Sequence, residues 1–260
     1  MNTKMRTIRI AATLLGALFI PTAYAAGQGN FSLTSGADYS SGKYGGTQST
    51  DILYIPLTGT YEVDRWSFKL TVPYVRITGP GGVIRDIGGF RSGSTTRTTA
   101  SGLGDIVTAA TYNAYNSGGG NALLIDVTAK VKFGTADDTK SLGTGENDYA
   151  TQADIFKTFD QLTAFGTLGY RVLGSPAGTS LNNVFYGSLG SSYKFTQGTS
   201  AGLILDLREK ASAGGAAQRE LTAFIAHKLT QSWKAQGYLV KGFTDGSPDW
   251  GAGTTITRAF

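Results

Sequence analysis

The chain contains no cysteine and a single histidine, His227, among its 260 residues. A disulfide scaffold, a thiolate zinc site and a cysteine nucleophile are therefore excluded together. One imidazole is little material for metal or general-base chemistry. Charge is scarce as well: charged residues make up 16%, against about 25% in ordinary globular domains. Hydrophobic residues reach 40% but are scattered singly. Beyond residue 25 no run approaches the roughly 20 apolar residues of a membrane-spanning helix, which excludes a helical membrane protein. What is abundant is glycine, at 37 residues, and aromatics, with 13 Tyr, 13 Phe and 3 Trp. A disordered chain would be poor in aromatics.

The first 25 residues read as a secretory signal peptide. Lys4, Arg6 and Arg9 form a basic start, Ile10 to Ile20 an apolar core, and Ala23-Tyr24-Ala25 a small-x-small cleavage site before Ala26. The mature chain is then 26–260, one domain, and no Cys follows the site to carry a lipid anchor. Cleavage removes three of the 23 basic residues, against 18 acidic ones, so the mature net charge is about +2. Nothing in that balance points to nucleic acid.

The mature sequence alternates. From Leu123 to Phe133 the odd positions are Leu, Ile, Val, Ala, Val and Phe, with Leu124, Asp126, Thr128, Lys130 and Lys132 between them. Period two means a strand with one apolar and one polar face. The pattern returns in Trp66-Phe68-Leu70-Val72-Tyr74 and in Ala201-Leu203-Leu205-Leu207. About twelve such segments follow: 30–40, 50–62, 65–75, 103–115, 122–133, 148–159, 163–173, 183–194, 200–209, 219–229, 233–243 and 250–260. Tight turns follow the even strands and mostly longer loops the odd ones, 76–102 being the longest. Even strand number and this alternation predict an all-β fold, an antiparallel up-and-down transmembrane β-barrel.

Aromatics mark two levels. Tyr61, Trp66, Tyr112, Tyr115, Phe159, Tyr193 and Trp233 sit beside the short turns, while Tyr39, Tyr74, Phe133, Tyr149, Tyr170, Phe185 and Trp250 cluster toward the long loops. A bilayer's two interfaces select such girdles. Phe260 ends the chain, with Ile256 and Trp250 on the same face, in the manner of the C-terminal signature read by the barrel-assembly machinery. Arg258 departs from that signature, and its stem suits snorkelling toward a headgroup.

The polar parity carries Lys69, Asp105, Asp126, Lys130, Lys132, Asp154, Arg171, Asp206, Arg208, Glu220, Lys228 and Lys234. Such charges are too costly toward lipid and are expected to line a wet lumen or pair across it. The cationic excess predicts a slight anion preference. Arg76, Arg85, Arg91 and Arg97 in the longest loop form a candidate constriction. Pro56 and Pro73 sit mid-strand on neighbours, where each removes a ladder donor, and form a candidate break in the wall. By parity His227 faces lipid near the short-turn rim. Asp137, Asp138, Glu146 and Asp148 read as solvated loop acids rather than a Ca²⁺ loop. No catalytic residue, metal or cofactor is expected.

Gly102-Leu103-Gly104-Asp105 opening a strand, then Lys132-Phe133-Gly134-Thr135, Leu142-Gly143-Thr144-Gly145 and Asp148-Tyr149, resembles an outer-membrane transporter family of the "MetA-pathway of phenol degradation". Gly134 and Ala136 depart from that family's pattern. The resemblance implies passage of aromatic or other small molecules. The reading is an exported outer-membrane channel of a Gram-negative cell, for passive diffusion of small molecules, with outer-membrane lipid and lipopolysaccharide around it. A structural or adhesive barrel with a plugged lumen is the alternative, and an outer-membrane hydrolase a third that the single His disfavours.

Overall fold

A computed structural model describes residues 11–13, 16–19, 29–85, 87–89 and 96–260. Most of the expected leader lies outside the described residues; within it Ala11–Thr13 and Gly16–Phe19 pair as a separate hairpin.

Residues 30–259 form one sheet of twelve consecutive strands. These are β1 (Asn30–Gly42), β2 (Thr50–Val63), β3 (Trp66–Gly79), β4 in two pieces (Thr98–Leu103 and Ile106–Asn116), β5 (Leu123–Phe133) and β6 (Asp148–Phe159). They continue as β7 (Leu162–Val172), β8 (Val184–Lys194), β9 (Thr199–Arg208), β10 (Gln218–Lys228), β11 (Trp233–Gly242) and β12 (Trp250–Ala259). Each pairs antiparallel with its sequence neighbours, and β12 returns to β1 from Trp250↔Ser41 to Ala259↔Ser32. The sheet is therefore a closed barrel, as the alternation predicts. Register partners followed once round return to β1 about 14 residues displaced, which tilts twelve strands by about 40°.

The strand boundaries match the periodicity except at one place. β3 continues to Gly79 and β4 begins at Thr98, so the longest loop is 80–97 rather than 76–102. Alternating β-branched residues carry both strands on, and Thr78 and Thr99 share a 3.0 Å hydroxyl contact there.

The wall sorts side chains by parity. On β5, Leu124, Asp126 and Thr128 are buried, while Val127 and Ala129 are exposed. The aromatics of both levels lie on the outer wall and meet across strands: Tyr39 with Trp250, Tyr170 with Phe185, and Trp66 with Tyr112 at 4.9 Å between centroids. Phe260 reaches Phe31 of the first strand, and Arg258 lies over the rings of Trp233 and Phe260.

The interior differs from top to bottom. In the short-turn half, inward Leu124, Phe156, Phe165, Ile204 and Phe224 pack into one apolar cluster, with Tyr238 against it. Glycines on neighbouring strands make room: a Cβ on Gly190 would stand 2.4 Å from the Phe165 ring, and one on Gly202 would stand 2.7 Å from the Phe224 ring. The opposite wall is hydroxyl-rich, with cross-strand pairs Thr34–Thr257, Thr58–Thr71 and Thr111–Thr128, each at 2.9 Å. Phe156→Ala is expected to cost about 3–5 kcal/mol, measured as the shift in urea unfolding from lipid vesicles. A loss below about 1 kcal/mol would mean that the cluster is not tightly packed.

Candidate functional site: the barrel interior and its capped mouth

Inner registers hold the charges. Lys69 lies opposite Thr60 and Ala109, Asp126 opposite Asn113 and Asp154, Asp206 opposite Ser188 and Glu220, and Lys234 opposite Lys228 and Thr257. Lys130, Lys132, Arg171 and Arg208 share that parity, and Asp105 sits between the two pieces of β4. Three further acids join them: Asp38, Glu62 and Asp148, on inner registers of β1, β2 and β6. Asp148 was hidden because it opens its strand beside a loop. Arg85 enters from loop 80–97. Among the described residues the inner cations are then Lys69, Arg85, Lys130, Lys132, Arg171, Arg208, Lys228, Lys234 and Lys194, which lies opposite Ser200 at the short-turn rim. Asp38, Glu62, Asp105, Asp126, Asp148, Asp154, Asp206 and Glu220 stand against these nine, so the cationic excess falls to one.

The buried acids have donors. Asn113 Nδ2 donates to Asp126 at 2.6 Å, Thr167 Oγ1 and Gln152 Nε2 to Asp154 at 2.6 and 2.8 Å, and Tyr238 Oη to Asp38 at 2.8 Å. Such satisfaction is what keeps a carboxylate tolerable inside a barrel.

At the long-loop end the mouth is capped. Loop 80–97 turns inward through Gly81 and Gly82, whose φ values of 86° and 73° suit glycine. Val83 packs on Ile52, Val75, Ile77, Ala136 and Leu142; Ile84 and Ile87 pack with Leu173, Leu181, Val184 and Ala211 from the other loops and β8. Between them the Arg85 guanidinium stands 3.5 Å from the Tyr54 ring centroid and 3.4 Å from Asp38 Oδ1. The Ile87 carbonyl accepts from Arg208 Nη2 at 2.9 Å.

The other sequence candidates for a constriction fall elsewhere. Arg76 occupies an outward register on β3, opposite Leu53 and Ser101, because Val75 and Ile77 are the inward residues. Arg97 is exposed, pairing with Asp51 and donating to the Ser49 carbonyl. Arg91 lies outside the described residues. Neither Arg76 nor Arg97 narrows the lumen.

The glycine-rich motifs fold into a clasp beside this cap. Lys132 Nζ bridges Asp105 at 2.9 Å and Asp148 at 3.3 Å; Arg171 Nη2 adds a 2.6 Å bond to Asp148. Asp105 also accepts from the Ala136 amide at 2.9 Å. A Cβ on Gly143 would come within 2.9 Å of the Asp105 carboxylate, so glycine there lets loop 134–147 close down. Asp137, by contrast, is solvated: the Lys140 and Thr139 side chains hold its carboxyl down at about 2. Asp137 and Asp148 are thus placed apart, one half-exposed and one buried inside the clasp. His227 is exposed on the outer face and shares a 2.8 Å hydrogen bond with Thr199 Oγ1.

Pro56 and Pro73 are register partners. Neither can donate, so their ladder partners face away, toward β1 and β4 respectively. Pairing lapses there: β1–β2 omits Gly36 and Ala37, and β3–β4 breaks between Thr71↔Val107 and Tyr74↔Leu103.

Between the cap and the apolar cluster lies a cavity of about 190 Å³, walled by Thr34, Tyr54, Pro56, Lys69, Lys130, Tyr186 and Tyr238 among others. A closed twelve-strand sheet, girdled outside and polar within, defines an outer-membrane-type β-barrel. The chain belongs to the family described as "Putative MetA-pathway of phenol degradation", matched over residues 26–259. Its fold is similar to that of the COG4313 outer membrane channel from Pseudomonas putida F1, with a TM-score of 0.67 and 14% identity, covering 91% of this chain and 97% of that one. The KdgM porin in complex with disordered oligogalacturonate gives 0.49 and 12%, covering 88% and 99%. The CymD monoaromatic hydrocarbon channel gives 0.47 and 10%, covering 89% and 88%. No curated protein sequence matches the chain.

Lys132→Met leaves Asp105 and Asp148 without their shared cation. It is expected to cost about 3–5 kcal/mol and to open loop 134–147 to proteolysis. Lys140→Met, at an exposed pair, is expected to cost under about 1 kcal/mol. Urea midpoints and limited digestion of the two variants check the contrast.

Proposed function

We propose that residues 26–260 form an outer-membrane channel through which small molecules diffuse passively. The observation that carries this is a cavity with charged, aromatic and apolar lining, enclosed by the closed sheet and covered at the long-loop end by Val83, Ile84 and Ile87 and their short pairing with Gly88–Gly89. The outer-membrane channel from Pseudomonas putida, which shares the fold, supports the reading. The family's description, with its reference to phenol, favours aromatic or hydrophobic solutes. In this reading residues 1–25 are the cleaved signal peptide of a Gram-negative exporter's substrate. Phe260 is what the barrel-assembly machinery reads, and lipid and lipopolysaccharide surround the two girdles. Lys69, Asp105, Asp126, Lys130, Lys132, Asp154, Arg171, Asp206, Arg208 and Lys234 line the path.

Arg85 is the latch of the constriction. Its contacts with Tyr54 and Asp38 hold Val83, Ile84 and Arg85 in the mouth, so solute entry requires that short segment to move aside. Pro56 and Pro73 mark a thinned wall through which an apolar solute leaves sideways. The same packed mouth favours a second reading, a plugged structural or adhesive barrel.

Single-channel recording separates the two. Wild-type protein is expected to give discrete steps, and Arg85→Ala to raise the open fraction about tenfold, the equivalent of a partly desolvated cation–π contact. No steps from either, with folding shown by heat-dependent gel mobility, would establish the plugged barrel. Replacing Pro56 and Pro73 together by Val is expected to lower uptake of apolar compounds and leave chloride conductance unchanged; unaltered uptake sinks the sideways route.

A further inference from the structure

The cap over the central cavity is apolar in two sectors and polar in the rest. Val83 closes one sector with residues of β2, β3 and loop 134–147, and Ile84 and Ile87 close the other with β8 and the loops that follow β7 and β9. Apolar contacts of this kind exclude water, and an ion crosses only where water goes with it. At β5 to β7 the polar side chains are locked: Lys132 and Arg171 both bridge to Asp148, and Lys132 donates to the Glu146 carbonyl of loop 134–147. From β10 round to β1 the inner faces present Gln218, Glu220, Gly251, Ser40 and Asp38 instead.

That sector holds a second cavity, of about 40 Å³, beneath loop 243–249. Asp38, Arg85, Arg208 and Gln218 line both it and the central cavity, so these side chains are the partition between the two. Arg85 stands 3.4 Å from Asp38, Arg208 Nη2 donates to the Ile87 carbonyl at 2.9 Å, and Gln218 Nε2 donates to Glu220 Oε1 at 2.6 Å. The partition is thereby tied to segment 83–87 on one side and to the upper cavity's own wall on the other. At the roof, Gly88 and Gly246 both line the cavity, and a Cβ on Gly88 would stand 3.2 Å from the Gly246 carbonyl. Loops 80–97 and 243–249 thus meet there glycine to glycine.

We infer that the permeation route enters on the β10–β1 side, passing between Gly88 and Gly246 into the upper cavity and on through the partition of Asp38, Arg85, Arg208 and Gln218, where these residues and Glu220 select what passes. As segment 83–85 moves aside, Arg85 leaves Asp38 and the two cavities become one. The passage opens against β1 and β10 rather than against β3 or β8. Charge of both signs stands along it, Arg85 and Arg208 with Asp38 and Glu220, so removing one acid tips the selection toward anions. The inference rests on the channel reading and deepens it by naming the side of the barrel through which a solute enters.

Because the chain has no cysteine, an introduced thiol is the only one in the barrel. The test uses the barrel purified from outer membranes, with folding shown by heat-dependent gel mobility, reconstituted for single-channel recording in potassium chloride. Ser40→Cys places the thiol in the upper cavity and Ala136→Cys places it in the apolar sector. Sulfonatoethyl methanethiosulfonate is expected to abolish the current steps of Ser40→Cys, because the attached group fills a space of about 40 Å³. Steps of Ala136→Cys and of the wild type are expected to persist. Val240→Cys, on the same cavity, replaces Ser40→Cys if that variant does not fold. Glu220→Gln is expected to move the reversal potential in a salt gradient toward that of chloride. Glu209→Gln, whose carboxylate accepts from the Phe185 amide, is expected to leave it in place. Steps that survive the reagent in the upper-cavity variant, a block at Ala136→Cys, or an unmoved potential in Glu220→Gln would each overturn the inference alone. Absent steps in the wild type overturn the channel reading and this inference with it.

Discussion

The structure depends on one requirement: in a bilayer every backbone N–H and C=O must find a partner within the protein. An open sheet fails that requirement at two edges, so β12 must return to β1, and the twelve strands follow from closure more than from any apolar core. The two places where the ladder lapses are handled locally. The Pro56 carbonyl accepts from Ser35 Oγ at 3.0 Å, and the Pro73 carbonyl accepts from the Gly104 amide at 2.8 Å. Because the prolines oppose each other, their missing donors fall on the outer sides of the β2–β3 pair. The strand pair between them remains in register from Asp51↔Thr78 to Val63↔Trp66.

Closure alone would leave a tube, and what fills it decides what passes. Inward aromatics on β6, β7 and β10 occupy the short-turn half, and they fit because glycine faces them: Phe165 over Gly190 and Phe224 over Gly202. Part of the unusual glycine content is thus the complement of the aromatic content. The long-loop half is filled by loops instead, through Val83, Ile84, Ile87 and Leu142. Lys69 and Lys130 occupy the level between, where both fillings leave space.

The strands were legible because lipid outside and water inside impose a strict two-residue period, as in Leu123 to Phe133. The girdles and the C-terminal face through Trp250, Ile256 and Phe260 were legible for the same reason. The direction of loop 80–97 was not. Its inward turn depends on Val83, Ile84 and Ile87 meeting residues from β2, β3, β8 and three other loops, contacts that no local pattern encodes. Arg76 was misread as loop because its strand runs further than the hydrophobic pattern, and its parity then places it outside. Asp38, Glu62 and Asp148 had the right parity and were passed over near strand ends. Their inclusion brings the acids of the inner wall close in number to its cations.

The seam between β1 and β12 has a consequence for how such a chain comes to be. Residues 30–42 leave the ribosome first among the strands and residues 250–259 last, yet they are neighbours. Until synthesis is complete, β1 carries an unpaired edge of 13 residues, the kind of edge that recruits other chains. No other strand of the sheet covers that edge, so the barrel closes only when its last strand is in place, and the contact of Phe260 with Phe31 marks that closure.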